Sequence, residues 1–157
     1  MRKGHHTIFG INGCAAVLES KKYKIIEIII QSGSPAEKDG KITHALGYHG
    51  GHIKVLYSSQ FKSKFPQWRT QGIVVRFSGI VDCDLPSYKK QTGNIGLLVL
   101  DGIEDPQNLG QIIRTSECSG IDGIILSRHG SVHITNTVLQ VSQGAFLYTN
   151  IYIANNI

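Results

Sequence analysis

Residues 100–115 read Leu-Asp-Gly-Ile-Glu-Asp-Pro-Gln-Asn-Leu-Gly-Gln-Ile-Ile-Arg-Thr, which brings an amide (Asn108), a glycine (Gly110) and a guanidinium (Arg114) into one short stretch. Each type has a use against a sugar–phosphate chain. The Asn108 amide can both donate and accept hydrogen bonds. Gly110 leaves room for a backbone or a ribose to come close. Arg114 lies four residues further on and so shares a helical face with that glycine. Its planar fork matches phosphate oxygens and stays protonated. The chemistry this set suggests is recognition of a phosphate and a ribose hydroxyl. The plainer alternative is a capped core helix whose Arg114 points into water, and residue types alone leave both readings open.

The elements that must position these groups follow from periodicity. Residues 96–100 form a continuous apolar run, the pattern of a strand covered on both faces. Asp105-Pro106 starts a helix with Leu109, Ile112 and Ile113 on one side, and Gly120 stops it. Residues 122–126 are a second apolar strand, so the segment reads as a βαβ unit with a parallel pair. Ligands of open α/β sheets bind at the carboxyl ends of such strands. A helix amino end there offers free N–H groups to phosphate. A helix over 136–143, broken by Gly144, and a third strand over 148–154 follow. No further helix is expected over that strand, which should leave an apolar surface.

Ahead of this block lies another, 7–78. Gly10-Ile11-Asn12-Gly13 opens a helix to Ser20, and 24–30 is a dense β-branched strand. Ser34-Pro35 starts a helix weakened by Gly40. A strand over 52–57, a short helix over 59–65 ended by Pro66, and a closing strand over 72–77 complete the order helix–strand–helix–strand–helix–strand. His5-His6 reads as a solvated tail. The stretch 79–94 is a linker by composition.

The chain has 157 residues, 41% of them apolar, enough for one or two small α/β domains with real cores. A net charge of +5 and a pI of about 9.2 fit an anionic partner, RNA foremost, and equally fit ordinary solubility charge. The three cysteines, Cys14, Cys83 and Cys118, are far apart and unpaired in spacing, which points to reduced thiols. Cys118 reads as a buried thiol and not as a nucleophile. No apolar run approaches the roughly 20 residues of a spanning helix, so a soluble, cytoplasmic protein is expected. His44, His49 and His52 cluster near glycines, but their spacing fits no metal motif, and a polar loop is the default. Gly10-x-x-Gly13 could cradle a phosphate, though a turn into a helix explains it as well. Lys21, Lys22, Lys24, Lys62, Lys64, Trp68, Arg69 and Arg76 could form a basic, partly aromatic face for RNA, or be scattered solvated cations.

Asp101-Gly102, Asp105-Pro106-Gln107-Asn108-Leu109-Gly110 and Arg114-Thr115 together resemble the first motif of the SpoU (TrmH) branch of the SPOUT RNA methyltransferases. The likeness continues through residues 119–125 and Ser142-x-Gly144-Ala145. Ile8-Phe9-Gly10-Ile11-Asn12 resembles the opening of the family's substrate-binding domain. Gln71-Gly72-Ile73-Val74-Val75 resembles its closing strand, with Thr70 where the family usually has histidine. The resemblance implies a small N-terminal α/β RNA-binding domain (7–78), a linker (79–94), and the first part of a SPOUT α/β domain (95–157). That second domain has a parallel sheet and is normally trefoil-knotted.

It implies methyl transfer from S-adenosylmethionine to a ribose 2'-hydroxyl, on guanosine of large-subunit (23S) ribosomal RNA before transfer RNA. Asn108 and Arg114 match the family's catalytic and RNA-contacting positions. Gly110, Arg69, Arg76 and Lys22 complete the RNA-binding set expected here. Because an arginine stays protonated, Arg114 is assigned stabilisation of the developing alkoxide and grip on the adjacent phosphate, not general-base work. The cofactor-binding motifs and the knot are expected beyond Ile157. The chain alone is therefore expected to bind no methyl donor, to transfer no methyl group, and to lack much of the family's homodimer surface. The competing expectation is a catalytically dead RNA-binding remnant or fragment.

Overall fold

The computed structural model describes residues 4–66, 69–85 and 95–157. They form two compact units that part after Gly79.

The first unit is built on a four-stranded mixed sheet of β1 (Gly4–Phe9), β2 (Lys24–Gln31), β3 (Ile53–Leu56) and β4 (Ile73–Gly79), in the order β1-β4-β2-β3. Only β2 and β3 run parallel. The helices are α1 (Ile11–Ser20), α2 (Pro35–Lys38), α3 (Gly40–Leu46) and α4 (Ser58–Lys64). On one sheet face Ile8, Val75 and Ile28 lie side by side, and α1 packs there, with Gly13 against the Ile8 side chain. On the other face Phe61 and Phe65, from and just after α4, close over Ile29 and Val74. With apolar cover on both sides, Ile73, Val74, Val75 and Phe77 are all fully buried.

Several expectations change here. His5-His6 is not a tail but part of β1, which pairs antiparallel with β4, and the His6 ring lies 5.3 Å from that of Phe77. Gly-His-His-Thr has no strand-like alternation. Only the exposed hydrogen-bonding edge of β4 makes it a strand, a tertiary cause that local pattern does not show. The helix begun at Ser34 is not merely weakened at Gly40 but ends. Asp39 takes extended backbone and its carboxylate accepts from the amides of Lys41 and Ile42, capping a new helix. The strand that closes the unit in chain order, β4, stands inside its sheet, flanked by β1 and β2.

The second unit has a wholly parallel sheet, β5-β8-β7-β6, from β5 (Cys83–Asp84), β6 (Leu97–Leu100), β7 (Gly123–Ser127) and β8 (Asn150–Ala154). Two helices, α5 (Pro106–Cys118) and α6 (Asn136–Val141), and a 3-10 turn (Ala145–Leu147) accompany it. Ile124, Leu126, Ile151 and Ile153 share one face and are buried. β8 is thus an inner strand with one face closed, not a strand left bare. The apolar run of β6 misled in the other direction. It is an edge strand, with Leu97 and Val99 44% and 50% exposed, because its buried look came from composition and not from cover. The expected linker also contributes structure, since Cys83–Asp84 pairs with Tyr152–Ile153. Residues 86–94 of that linker lie outside the described residues.

Cys14 is the buried thiol, fully enclosed under β1 and β4, and burial pushes its pKa far up. Cys118, expected to be buried, is exposed on α5, since it falls on the helix side away from Leu109 and Ile113. Among the described residues no helix is long and apolar enough to cross a membrane.

Candidate functional site

Helix α5 starts as its sequence dictates. Pro106 stands in the first turn, and the Asp105 carboxylate accepts from the Gln107 amide at 2.8 Å. This cap has a cost for the expected phosphate site. A carboxylate already sits at the helix amino end and takes one of its free N–H groups, so the tip itself is a poor anion receptor.

The rest of the helix sorts its residues by angle. Leu109, Gly110, Ile113 and Ser116 are buried, and Asn108, Gln111, Arg114 and Thr115 are exposed. The space beside Gly110 is taken. A Cβ there would lie 2.6 Å from Cβ of Val141 and 2.9 Å from the Val138 carbonyl oxygen. The glycine that was expected to admit a ribose instead admits α6, so its place in an RNA-binding set gives way to a packing role. Helix–helix contact explains it because only a residue without a Cβ lets α6 come this near.

Asn108 and Arg114 keep their availability. Both side chains face solvent, and among the described residues neither makes a hydrogen bond or ion pair. Arg128, by contrast, is ion-paired with Asp84 and donates from Nε to Asn155 at 2.7 Å. At 3.6 residues per turn, six positions carry Asn108 and Arg114 about 120° around the helix and about 9 Å along it. Gln111 lies between them on the exposed arc. The sequence reading passed over it, although its position three residues after Asn108 and three before Arg114 was visible.

The other cations of the expected RNA-binding set, Lys22, Arg69 and Arg76, belong to the first unit and lie apart from one another. Lys22 follows the left-handed Lys21 in the turn before β2, near the Ser78 end of β4. Arg69 is exposed ahead of Ile73, at the opposite end of the same strand. Arg76 lies mid-strand and is ion-paired with Glu27 at 3.2 Å. Trp68 lies outside the described residues. The Gly10-x-x-Gly13 turn is closed as a phosphate cradle, because Gln71 Oε1 accepts from the Ile11 amide at 2.8 Å and Gly13 is buried. The three loop histidines separate in role. His44 is 3.8 Å from Glu19, His49 Nε2 is 3.0 Å from the Leu18 carbonyl oxygen, and His52 ends a 3-10 turn. Among the described residues no group of three or more His, Cys, Asp or Glu is placed to hold a metal ion.

At the carboxyl ends of β5, β7 and β8 lies a hollow of about 430 Å³ lined by Asp84, Leu85, Arg128, Ile153, Ala154, Asn155 and Asn156. Its position is that of ligand sites in parallel sheets. Its chemistry is not that of a nucleoside pocket. Such pockets are enclosed and mostly apolar, whereas this hollow is open and crossed by the Asp84–Arg128 pair. The lining of this hollow does not fit S-adenosylmethionine.

The fold, a mixed-sheet unit followed by a parallel-sheet unit, matches two solved structures of methyltransferases. One is the AdoMet-bound rRNA methyltransferase of Sinorhizobium meliloti (TM-score 0.71, 20% identity, 96% of this chain and 54% of that one). The other is the SpoU methyltransferase AviRb of Streptomyces viridochromogenes in complex with AdoMet (TM-score 0.72, 16% identity, 96% and 56%). Residues 96–157 match the model of the SpoU rRNA Methylase family. The 23S rRNA (guanosine-2'-O-)-methyltransferase RlmB of Shewanella oneidensis is 32% identical over 146 residues, covering 91% of this chain and 59% of that protein. Residues 96–157 thus match the SpoU family, and over nearly its whole length the chain is similar to RNA methyltransferases of the SpoU/TrmH type. It spans a little over half the length of the curated relative and of the solved structures it matches.

Proposed function

We propose that this chain serves ribose 2'-O-methylation of ribosomal RNA, with guanosine of the 23S molecule as substrate and S-adenosylmethionine as methyl donor. One observation carries the reading. Within the segment that matches the family model, Arg114 stands exposed and, among the described residues, without a side-chain partner, six residues after an Asn108 in the same state.

The donor, when bound, supplies an electrophilic methyl group, and no part of its binding is assigned to the described residues. The work left to this chain is on the RNA side. A ribose hydroxyl is a weak nucleophile whose oxygen gains negative charge as it attacks. Arg114, permanently charged, holds that charge and the neighbouring phosphate. Its proton stays on the guanidinium, so the hydroxyl proton passes to water or to another base. Asn108, able to donate and accept, orients the sugar.

The test is methyl transfer from labelled donor to ribosomal RNA, by this chain and by a version extended through the remaining length of its relatives. Arg114→Ala in the active form should lower the rate by about 10²–10³-fold, the loss typical of one charge-stabilising donor. Arg114→Lys should recover only part of it, because a lysine lacks the fork. Full activity of Arg114→Lys would remove the assigned role. RNA binding without transfer in either version would favour an RNA-binding protein with no catalysis.

A further inference from the structure

The first unit carries a second feature that the reading above does not use. Its sheet face beneath α4 is only half covered. Phe61 and Phe65 close the end at Ile29 and Val74, while the other end presents polar groups. There Glu27 on β2 lies beside Arg76 on β4, which lies beside Thr7 on β1. Glu27 Oε1 accepts from Lys54 Nζ at 2.7 Å, and Oε2 accepts from Arg76 Nη1 at 3.2 Å. Lys64, at the end of α4, adds a third positive charge close enough to act on the same carboxylate. One row further along, Lys24 on β2 pairs with Ser78 on the same face and is exposed.

A bulge creates this site. The β2–β4 register shifts between Ile25 and Glu27, which pushes Ile26 outward to 41% exposure and turns Glu27 onto the polar face. The result is unbalanced. A single carboxylate, its side chain 13% exposed, holds the heads of two cations that are themselves 66% (Lys54) and 43% (Arg76) exposed. An ion pair built for stability alone would need one cation. Here a lysine and an arginine both donate to one acid and leave surplus positive charge toward solvent. Two donors held on one pair of oxygens are also the arrangement a phosphate diester would accept.

We propose that this open half of the first sheet is a phosphate-binding face for the RNA strand. Lys54, Arg76 and Lys64 are its cations, and Glu27 is an internal counter-ion that pre-orders them and competes with a backbone phosphate for the same donors. The proposal rests on the RNA-directed reading above and adds a location and a sign to it. Neutralising the acid should tighten binding, whereas removing either partner cation should weaken it.

The experiment is fluorescence anisotropy of a fluorescein-labelled RNA hairpin with the whole chain across a salt series. Lys54→Gln, on an exposed edge-strand position, does not threaten the fold, and circular dichroism checks Arg76→Gln and Glu27→Gln. Lys54→Gln and Arg76→Gln should each weaken binding several-fold and reduce the slope of log affinity against log salt by about one. Glu27→Gln should bind several-fold tighter with a steeper slope. If the unaltered chain binds RNA and all three variants follow it at every salt concentration, the proposal falls while the RNA-directed function stands. Weaker binding by Glu27→Gln also overturns it, since the acid would then be a contact and not a competitor. No binding by the unaltered chain overturns both.

Discussion

The two units solve the same problem, a four-stranded sheet with helices, in opposite ways. In the first, apolar side chains close one face and half of the other, and the strand β4 is sealed from Ile73 to Phe77 apart from Arg76. Its candidate chemistry is confined to the uncovered end of one face. In the second, all strands are parallel, one face is closed, and the edge strand β6 stays half open through Leu97 and Val99. Its candidate chemistry rides on a helix, not on the sheet. The contrast teaches that a closed core leaves little freedom for a site except at its margin. A sheet with one packed helix layer can instead offer a whole solvent arc, here Asn108, Gln111 and Arg114.

Glycines give the sharpest way to break this comparison. Gly72 has φ +89, and a Cβ there would lie 2.1 Å from Cβ of Ser34, the residue that caps α2. Gly72→Ala should therefore destabilise the first unit by about 3 kcal/mol, from backbone strain together with a clash in a filled site. Chemical denaturation monitored in each unit should show the loss there and not in the second. An unchanged midpoint would mean that the first core is less closed than described.

Gly110→Ala is the matching probe of the second unit and a smaller one. Its φ is ordinary, so only the contact with Val141 and Val138 opposes it. Relief by a shift of the short α6 should hold the loss to about 1–2 kcal/mol. Arg114→Ala on the same helix should stay within about 0.5 kcal/mol of the unaltered chain. If Gly110→Ala left stability alone and weakened only RNA binding, the packing role would be wrong and the glycine would belong to the site.

The smallest effect concerns pH. The hydrogen bond from Lys54 holds the Glu27 carboxyl below its usual value of 4.5, with burial opposing and the charges of Lys54, Lys64 and Arg76 assisting. A carboxyl lowered on folding adds stability that is fully present above its unfolded pKa. That stability is lost as pH falls through the folded value. The unaltered chain should thus lose stability below about pH 4.5 more steeply than Glu27→Gln. Parallel acid curves for the two would show that the cations around Glu27 do not act on it in the folded protein.

The sequence by itself determined the local features. The caps at Ser34 and Asp105, the prolines behind them, Gly120 after α5 and the β-branched core of β2 are each fixed by neighbours in the chain, because propensity, capping and turn chemistry act over a few residues. The helix start at Asp105-Pro106 was legible for the same reason, whereas the roles of Asn108 and Arg114 came from the resemblance to a family and not from local chemistry. Only the tertiary structure decided the long-range features. His5 and His6 became a strand because β4 offered an edge, β6 became exposed because nothing described covers it, and Gly110 was filled because α6 arrives from 28 residues further along. The pairing of Glu27 with Lys54 and Arg76 joins positions 27 and 49 residues apart through a bulge that no periodicity announces. Partner and exposure are properties of the packed chain, and the sequence carries them only through contacts that form after the local elements exist.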